Sequence, residues 1–161
     1  MSVNKYKPHI WVIPEDDANN QLVNGFLLHY SVNVRAIGID PPAGGWGRVL
    51  DLFEQKFVPY LRQWSLSHVV MLMDFDDTDD RKTICEKRIP DDLKQRVFVP
   101  GTKDNPEALK RELNVGFESI GEGLAGDCLR EDCGQWNNTH LVHNRDELLR
   151  MSEVMKPIIF F

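Results

Sequence analysis

Four short apolar runs, separated by stretches with helical spacing, constrain this chain more than any other feature. The first is HIWVIP at His9–Pro14, and VNVRAIGI at 32–39, HVVMLM at 68–73 and VFVP at 97–100 follow it. Brief apolar runs bounded by polar and turn residues suit buried strands. Between the first and second, Leu22, Val23, Phe26, Leu27 and Tyr30 recur on one helical face. Between the second and third, Val49, Phe53, Phe57, Leu61 and Trp64 do the same across 48–64, where Pro59 is expected to break or kink the helix. Glu15, Asp16 and Asp17 supply an acidic N-cap and first turn. Asn105, Pro106 and Glu107 give an N-cap, a proline at the first helical position and an acid behind it.

Alternating strands and helices predict an α/β domain, with a mainly parallel sheet of about four strands and helices on both faces. At 161 residues, 42% hydrophobic and 27% charged, the chain suits one domain over 1–161 with a real core. The glycine-rich stretch 115–143 is expected to hold a short helix and loops. A helix capped by Asn144 is expected over 145–156, and the tail PIIFF should dock on the body.

MLMDFDDTDD at 71–80 sets Asp74, Asp76, Asp77, Asp79 and Asp80 directly behind the third apolar run. In parallel α/β sheets ligands bind beyond the carboxyl ends of the strands. Glu15 and Asp74 each follow an apolar run at such an end. Asp74 and Asp76 would share a face if the strand continued that far. Two carboxylates about 4 Å apart repel by ~1 kcal/mol in water and ~4 kcal/mol at an effective dielectric of about 20. A Mg²⁺ ion relieves that repulsion, since it takes one or two carboxylates with waters and substrate phosphates. The other reading is a solvated loop, with Asp77, Asp79 and Asp80 neutralised by Arg81 and Lys82 and capping the helix that follows.

IPEDDANNQLVNGFL and VVMLMDFDD together resemble the Toprim fold of topoisomerases, primases and related nucleases. NPEALKREL and WNNTHLVHNRDELLRM resemble segments of small, free-standing bacterial Toprim-like proteins. The resemblance implies Glu15, Asp74 and Asp76 as ligands of Mg²⁺ (or Mn²⁺). It also implies Glu15 as general acid or base in phosphodiester cleavage or transfer on nucleic acid. Asp16 stands where the family commonly has glycine, and the glycine often found after its Asp-x-Asp is missing. A net charge of −6 and a pI near 5.3, with no basic stripe, argue against tight independent duplex binding. A nuclease of this charge is expected to work with a partner such as an ATPase or a DNA-binding protein. The alternative is a non-catalytic interaction or regulatory protein on the same fold.

DFDDT also resembles the Asp-x-Asp-x-Thr signature of haloacid-dehalogenase-like phosphatases, with Asp74 as nucleophile and Asp76 as acid/base. GDCLRED, with Asp127, resembles that family's later acidic motif. WVIPEDDANNQL resembles the start of a response-regulator receiver, with Asp16 and Asp17 binding Mg²⁺, Asp74 accepting phosphate and Lys103 following the fourth strand.

Lys103 and Glu107, just past the fourth run, are candidate substrate contacts in the same crevice. GGWG at 44–47 is either a phosphate cradle of backbone N–H groups or a flexible strand–helix loop. Cys128, Cys133, His140 and His143 are either four zinc ligands or buried thiols with unrelated histidines. His9, His29 and His68 lie in or beside apolar runs and are expected to be structural. Three cysteines make an odd set for a disulfide framework. No signal peptide and no membrane span are expected, and the expected location is cytoplasmic.

Overall fold

The computed structural model describes residues 2–78, 80–130 and 134–161. β1 is His9–Pro14, and α1, Asp17–Leu28, follows it. The Asp16 side chain caps α1 by accepting the Asn19 N–H at 2.9 Å, which satisfies one of the orphan donors of the first turn. β2 is only Ile37–Ile39, because Val34–Ala36 closes a 3-10 turn. Val32, expected within that strand, pairs instead with Phe160 in an isolated antiparallel bridge.

α2 (Trp46–Leu52), a π-helical turn (Phe53–Phe57) and α3 (Val58–Gln63) form one helical run. Pro59 was expected to break or kink it, having no N–H to donate. The chain widens just ahead of the proline instead, with the Val58 N–H reaching Phe53 O, and the helix continues. β3, Ser67–Asp74, is the longest strand, and α4 follows as Asp80–Lys87. The fourth run splits into β4, Val97–Phe98, and β5, Gly101–Thr102, which both pair with β3. α5 (Pro106–Leu113), α6 (Phe117–Arg130) and α7 (Arg145–Ile159) complete the fold.

All the sheet pairings are parallel, in the order β2-β1-β3-β4, with β5 extending the β4 side. Strand alternation sorts the core into two halves. Ile13, Val69, Met71 and Met73 face α2, the π turn and α3, against Leu50, Phe53, Phe57 and Leu61. Ile10, Val12, Val70 and Phe98 face the other way, against Ala125, Met155 and residues of α1. The α/β class, the parallel sheet and helices on both faces are therefore present. Among the described residues no helix is long and apolar enough to cross a membrane.

α6 is a 14-residue helix where a short one was expected. Its glycines serve contact, not a turn. A Cβ on Gly121 would stand 2.0 Å from Leu22 O, and one on Gly25 would stand 2.1 Å from Glu118 O. Small residues at both positions let the α1 and α6 backbones cross at a distance no larger side chain permits. Asn144 does not cap α7. Its side chain pairs with the backbone of Gly101 in β5, accepting that N–H at 3.0 Å and donating to that carbonyl at 2.7 Å. The C-terminal tail docks through Phe160, while Phe161 is exposed.

Candidate metal centre

The strand order reverses direction between β1 and β3, so the loops leaving these two strands diverge and open a crevice at their carboxyl ends. Glu15 and Asp74 occupy that crevice, and both are buried. The Glu15 N–H extends the ladder to Leu72 O at 3.0 Å, and its Oε2 accepts the backbone N–H of Asp74 at 2.7 Å. The loop behind β2 closes over Glu15: Gly44 and Gly45, at φ 90° and 146°, both donate to its carbonyl oxygen. Two N–H groups of GGWG are thus consumed inside the fold, and this loop is no phosphate cradle in the form seen here.

Asp74 lies on the α1 face of β3, in alternation with Val70 and Leu72. Its Oδ1 accepts Asn19 Nδ2 at 2.9 Å and Thr102 Oγ1 at 3.4 Å. Burial is the main cause that pushes its carboxyl up to about 7, and the charges of Glu15, Asp16 and Glu107 add to it against the Asn19 hydrogen bond. Burial also raises Glu15, opposed by the Asp74 N–H and by Arg81.

Asp76 falls elsewhere. β3 ends at Asp74, Phe75 turns into the core, and Asp76 and Asp77 adopt left-handed conformations at φ 50° and 54°. Their N–H groups are held by Asp104 O and Lys103 O. Aspartate tolerates this region better than most residues. The Asp76 side chain is consequently exposed, 3.4 Å from Arg81. The shared face expected for Asp74 and Asp76 depended on a longer strand, which the turn at Phe75 replaces. Arg81 sits over the Trp46 ring and donates to Asp74 O at 2.7 Å.

Lys103 is exposed, with Nζ 3.8 Å from Asp77. Glu107 lies in the first turn of α5, near enough for its charge to act on Asp74. Asp77 is exposed in the turn and Asp80 is exposed at the start of α4, while Asp79 lies outside the described residues. Asp127 stands within α6, paired with Arg130 at 2.7 Å and accepting the Gln135 N–H.

Three of the four candidate zinc ligands, Cys128, His140 and His143, are among the described residues. Cys133 lies outside the described residues, His140 pairs with Glu112 at 2.8 Å, and the His143 ring packs edge-on against Phe75. Burial pushes the Cys128 thiol up to about 11. Among the described residues no three His, Cys, Asp or Glu side chains converge as a ready-made metal cage. Mg²⁺ does not require one, since two carboxylates completed by water and substrate oxygens suffice. Glu15 and Asp74 supply two such carboxylates, and the Asp76 side chain is exposed beside Arg81.

Asn19 and Thr102 are the site residues that sequence patterning missed. Asn19 carried a signal: it shares the helical face of Leu22, Val23 and Phe26, where an amide needs partners. Comparison with models of known protein families, with curated proteins and with solved structures gave no match. Fold and site define a doubly wound α/β protein with a buried acidic pair at its strand-order reversal.

Proposed function

We propose that this protein is a Toprim-like, Mg²⁺- or Mn²⁺-dependent enzyme of phosphodiester chemistry on nucleic acid. The observation that carries the reading is the buried pair Glu15 and Asp74, placed at the carboxyl ends of adjacent parallel strands, with Arg81 as the neighbouring positive charge. Glu15 and Asp74 would hold the ion, which would supply positive charge to a substrate phosphate. The Asp74 N–H orients the Glu15 carboxylate, and burial raises its pKa above the ordinary carboxylate value, in the direction a general acid or base needs. Asn19 and Thr102 fix Asp74. Lys103, at the mouth, contacts substrate phosphate. With a net charge of −6, affinity for nucleic acid comes from the metal and from a more basic partner protein, an ATPase or a DNA-binding subunit.

One observation favours a second reading, a non-catalytic Toprim-like interaction protein: the Asp76 side chain faces solvent and Arg81 and leaves two acids in the crevice. A plasmid-nicking assay in millimolar Mn²⁺ or Mg²⁺, run beside a metal melt, separates the two. The nuclease reading expects metal-dependent cleavage that Glu15→Gln and Asp74→Asn abolish. Metal stabilisation without cleavage supports the interaction protein. Cleavage that survives in both variants belongs to a contaminant, and no metal effect of either kind sinks the metal site.

A further inference from the structure

We infer that Arg81 receives a substrate phosphate at the Glu15–Asp74 crevice, and that Asp76 holds the guanidinium as an internal competitor until substrate arrives. The inference rests on the phosphodiester reading of that site and assigns its anion contact. Arg81 lies in the first turn of α4, and its guanidinium touches both loops that form the crevice. On one side Nη1 donates to the Asp74 carbonyl at the end of β3, at 2.7 Å. On the other the guanidinium carbon lies 5.0 Å from the centre of the Trp46 ring, within cation–π range. Trp46 opens α2, and its own N–H acts on the Glu15 carboxylate. The Arg81 charge acts on Glu15 as well. An arginine is thus anchored against both members of the acidic pair, with 19% of its side chain still open to solvent.

The contact with Asp76 differs in kind. Nη2 reaches Asp76 Oδ2 at 3.4 Å, long for a charge-assisted hydrogen bond, and the Asp76 side chain is 62% exposed. Exposed ion pairs of this kind contribute little, so a stronger anion displaces the carboxylate. The Asp76 backbone is nonetheless fixed, because its N–H is held by Asp104 O in the left-handed turn. A carboxylate is therefore tethered where a phosphate oxygen would sit. The planar fork of a guanidinium accommodates either anion, and Nη1 stays on the Asp74 carbonyl while Nη2 changes partner. This gives Asp76 a role opposite to that of a metal ligand. Removing its charge strengthens substrate binding, whereas removing the charge of a ligand abolishes the response to metal.

The test uses the full chain and fluorescein-labelled oligonucleotides, single-stranded and duplex. Binding is read by anisotropy in Ca²⁺ across a salt series starting at low ionic strength, beside a melt in Mn²⁺. Arg81→Gln should bind at least tenfold more weakly. Its slope of log affinity against log salt should fall by about 0.7 on a single strand or about 0.9 on a duplex, the loss of one phosphate contact. A merely structural role would lower Tm and leave that slope unchanged. Arg81→Lys should keep the slope and still bind severalfold more weakly, having lost the fork and the ring contact. Asp76→Asn should bind about two- to fivefold more tightly and keep the Mn²⁺ shift in Tm. A folded Arg81→Gln that binds like wild type with the same slope overturns the role of Arg81. Weaker binding by Asp76→Asn, or loss of its Mn²⁺ shift, overturns the competitor and returns Asp76 to the metal. Absence of binding by wild type to either probe overturns the inference, while the wild-type melt, which contains no nucleic acid, decides the metal site separately. If Arg81→Gln does not fold, Arg81→Lys and Asp76→Asn decide.

Discussion

Asp74→Asn should stabilise this protein at pH 8 when metal is absent. Asp74 is 9% exposed, and its carboxyl is pushed from 3.8 up to about 7. Between about 4 and about 7 the folded chain holds a proton that the unfolded chain has released, so wild-type stability falls as pH rises through that window. A displacement of about 3 units corresponds to ~4 kcal/mol against the ionised form. The penalty belongs to the pair, because Glu15 supplies part of the repulsion. Asparagine keeps an acceptor for Asn19 Nδ2 but brings an NH₂ that needs its own acceptor, at a cost of roughly 1–2 kcal/mol. The net gain at pH 8 is about 2 kcal/mol, or roughly 4–8 °C in Tm at this chain length. At pH 5 wild type carries the proton and the difference should shrink to about 1 °C or reverse. Melts of both proteins at the two pH values in EDTA measure it. A variant that melts lower than wild type at pH 8, or a difference independent of pH, would refute a carboxyl strained by burial and by its neighbour.

Mg²⁺ or Mn²⁺ at ~100 times its Kd should raise wild-type stability by ~2.7 kcal/mol at pH 8 and leave Asp74→Asn unmoved. Below about pH 7 the proton on Asp74 competes, so affinity measured by calorimetry should fall towards tenfold per pH unit. Gly121→Ala drives a methyl to 2.0 Å from Leu22 O and should cost about 1–3 kcal/mol in a urea melt. Gly47→Ala, with nothing within 4 Å in α2, should be neutral or stabilising by up to ~1 kcal/mol. Asn144→Ala strips partners from the buried N–H and C=O of Gly101 and should cost about 2–4 kcal/mol, whereas loss of a helix cap alone would cost about 1 kcal/mol.

The strands were legible in proportion to their hydrophobic contrast. His9–Pro14 came out as expected and β3 within a residue at each end, because both are central and buried on two faces. β2 was over-read, since Val32 and Val34 are apolar for contacts with the C-terminal tail and the second core half, not for the ladder. Glycine counted against α6 because local propensity cannot see that α1 passes within contact of Gly121. The acids followed the same division. Period-2 alternation put Asp74 at the site, but only the turn at Phe75 decided that Asp76 leaves it.

The sequence by itself determined the class of the protein: apolar runs alternating with amphipathic segments admit a parallel sheet covered on both faces, with Glu15 and Asp74 at strand ends. That information is local, carried by periodicity and by caps such as Asp16 and Asn105. Tertiary structure alone decided which polar groups became partners. Asn19 reached Asp74, Asn144 left its helix end for Gly101, and Arg81 closed over the Asp74 carbonyl. Each is a contact between residues distant or turned apart in sequence, and a buried polar group accepts whichever partner the packed elements bring within hydrogen-bond reach.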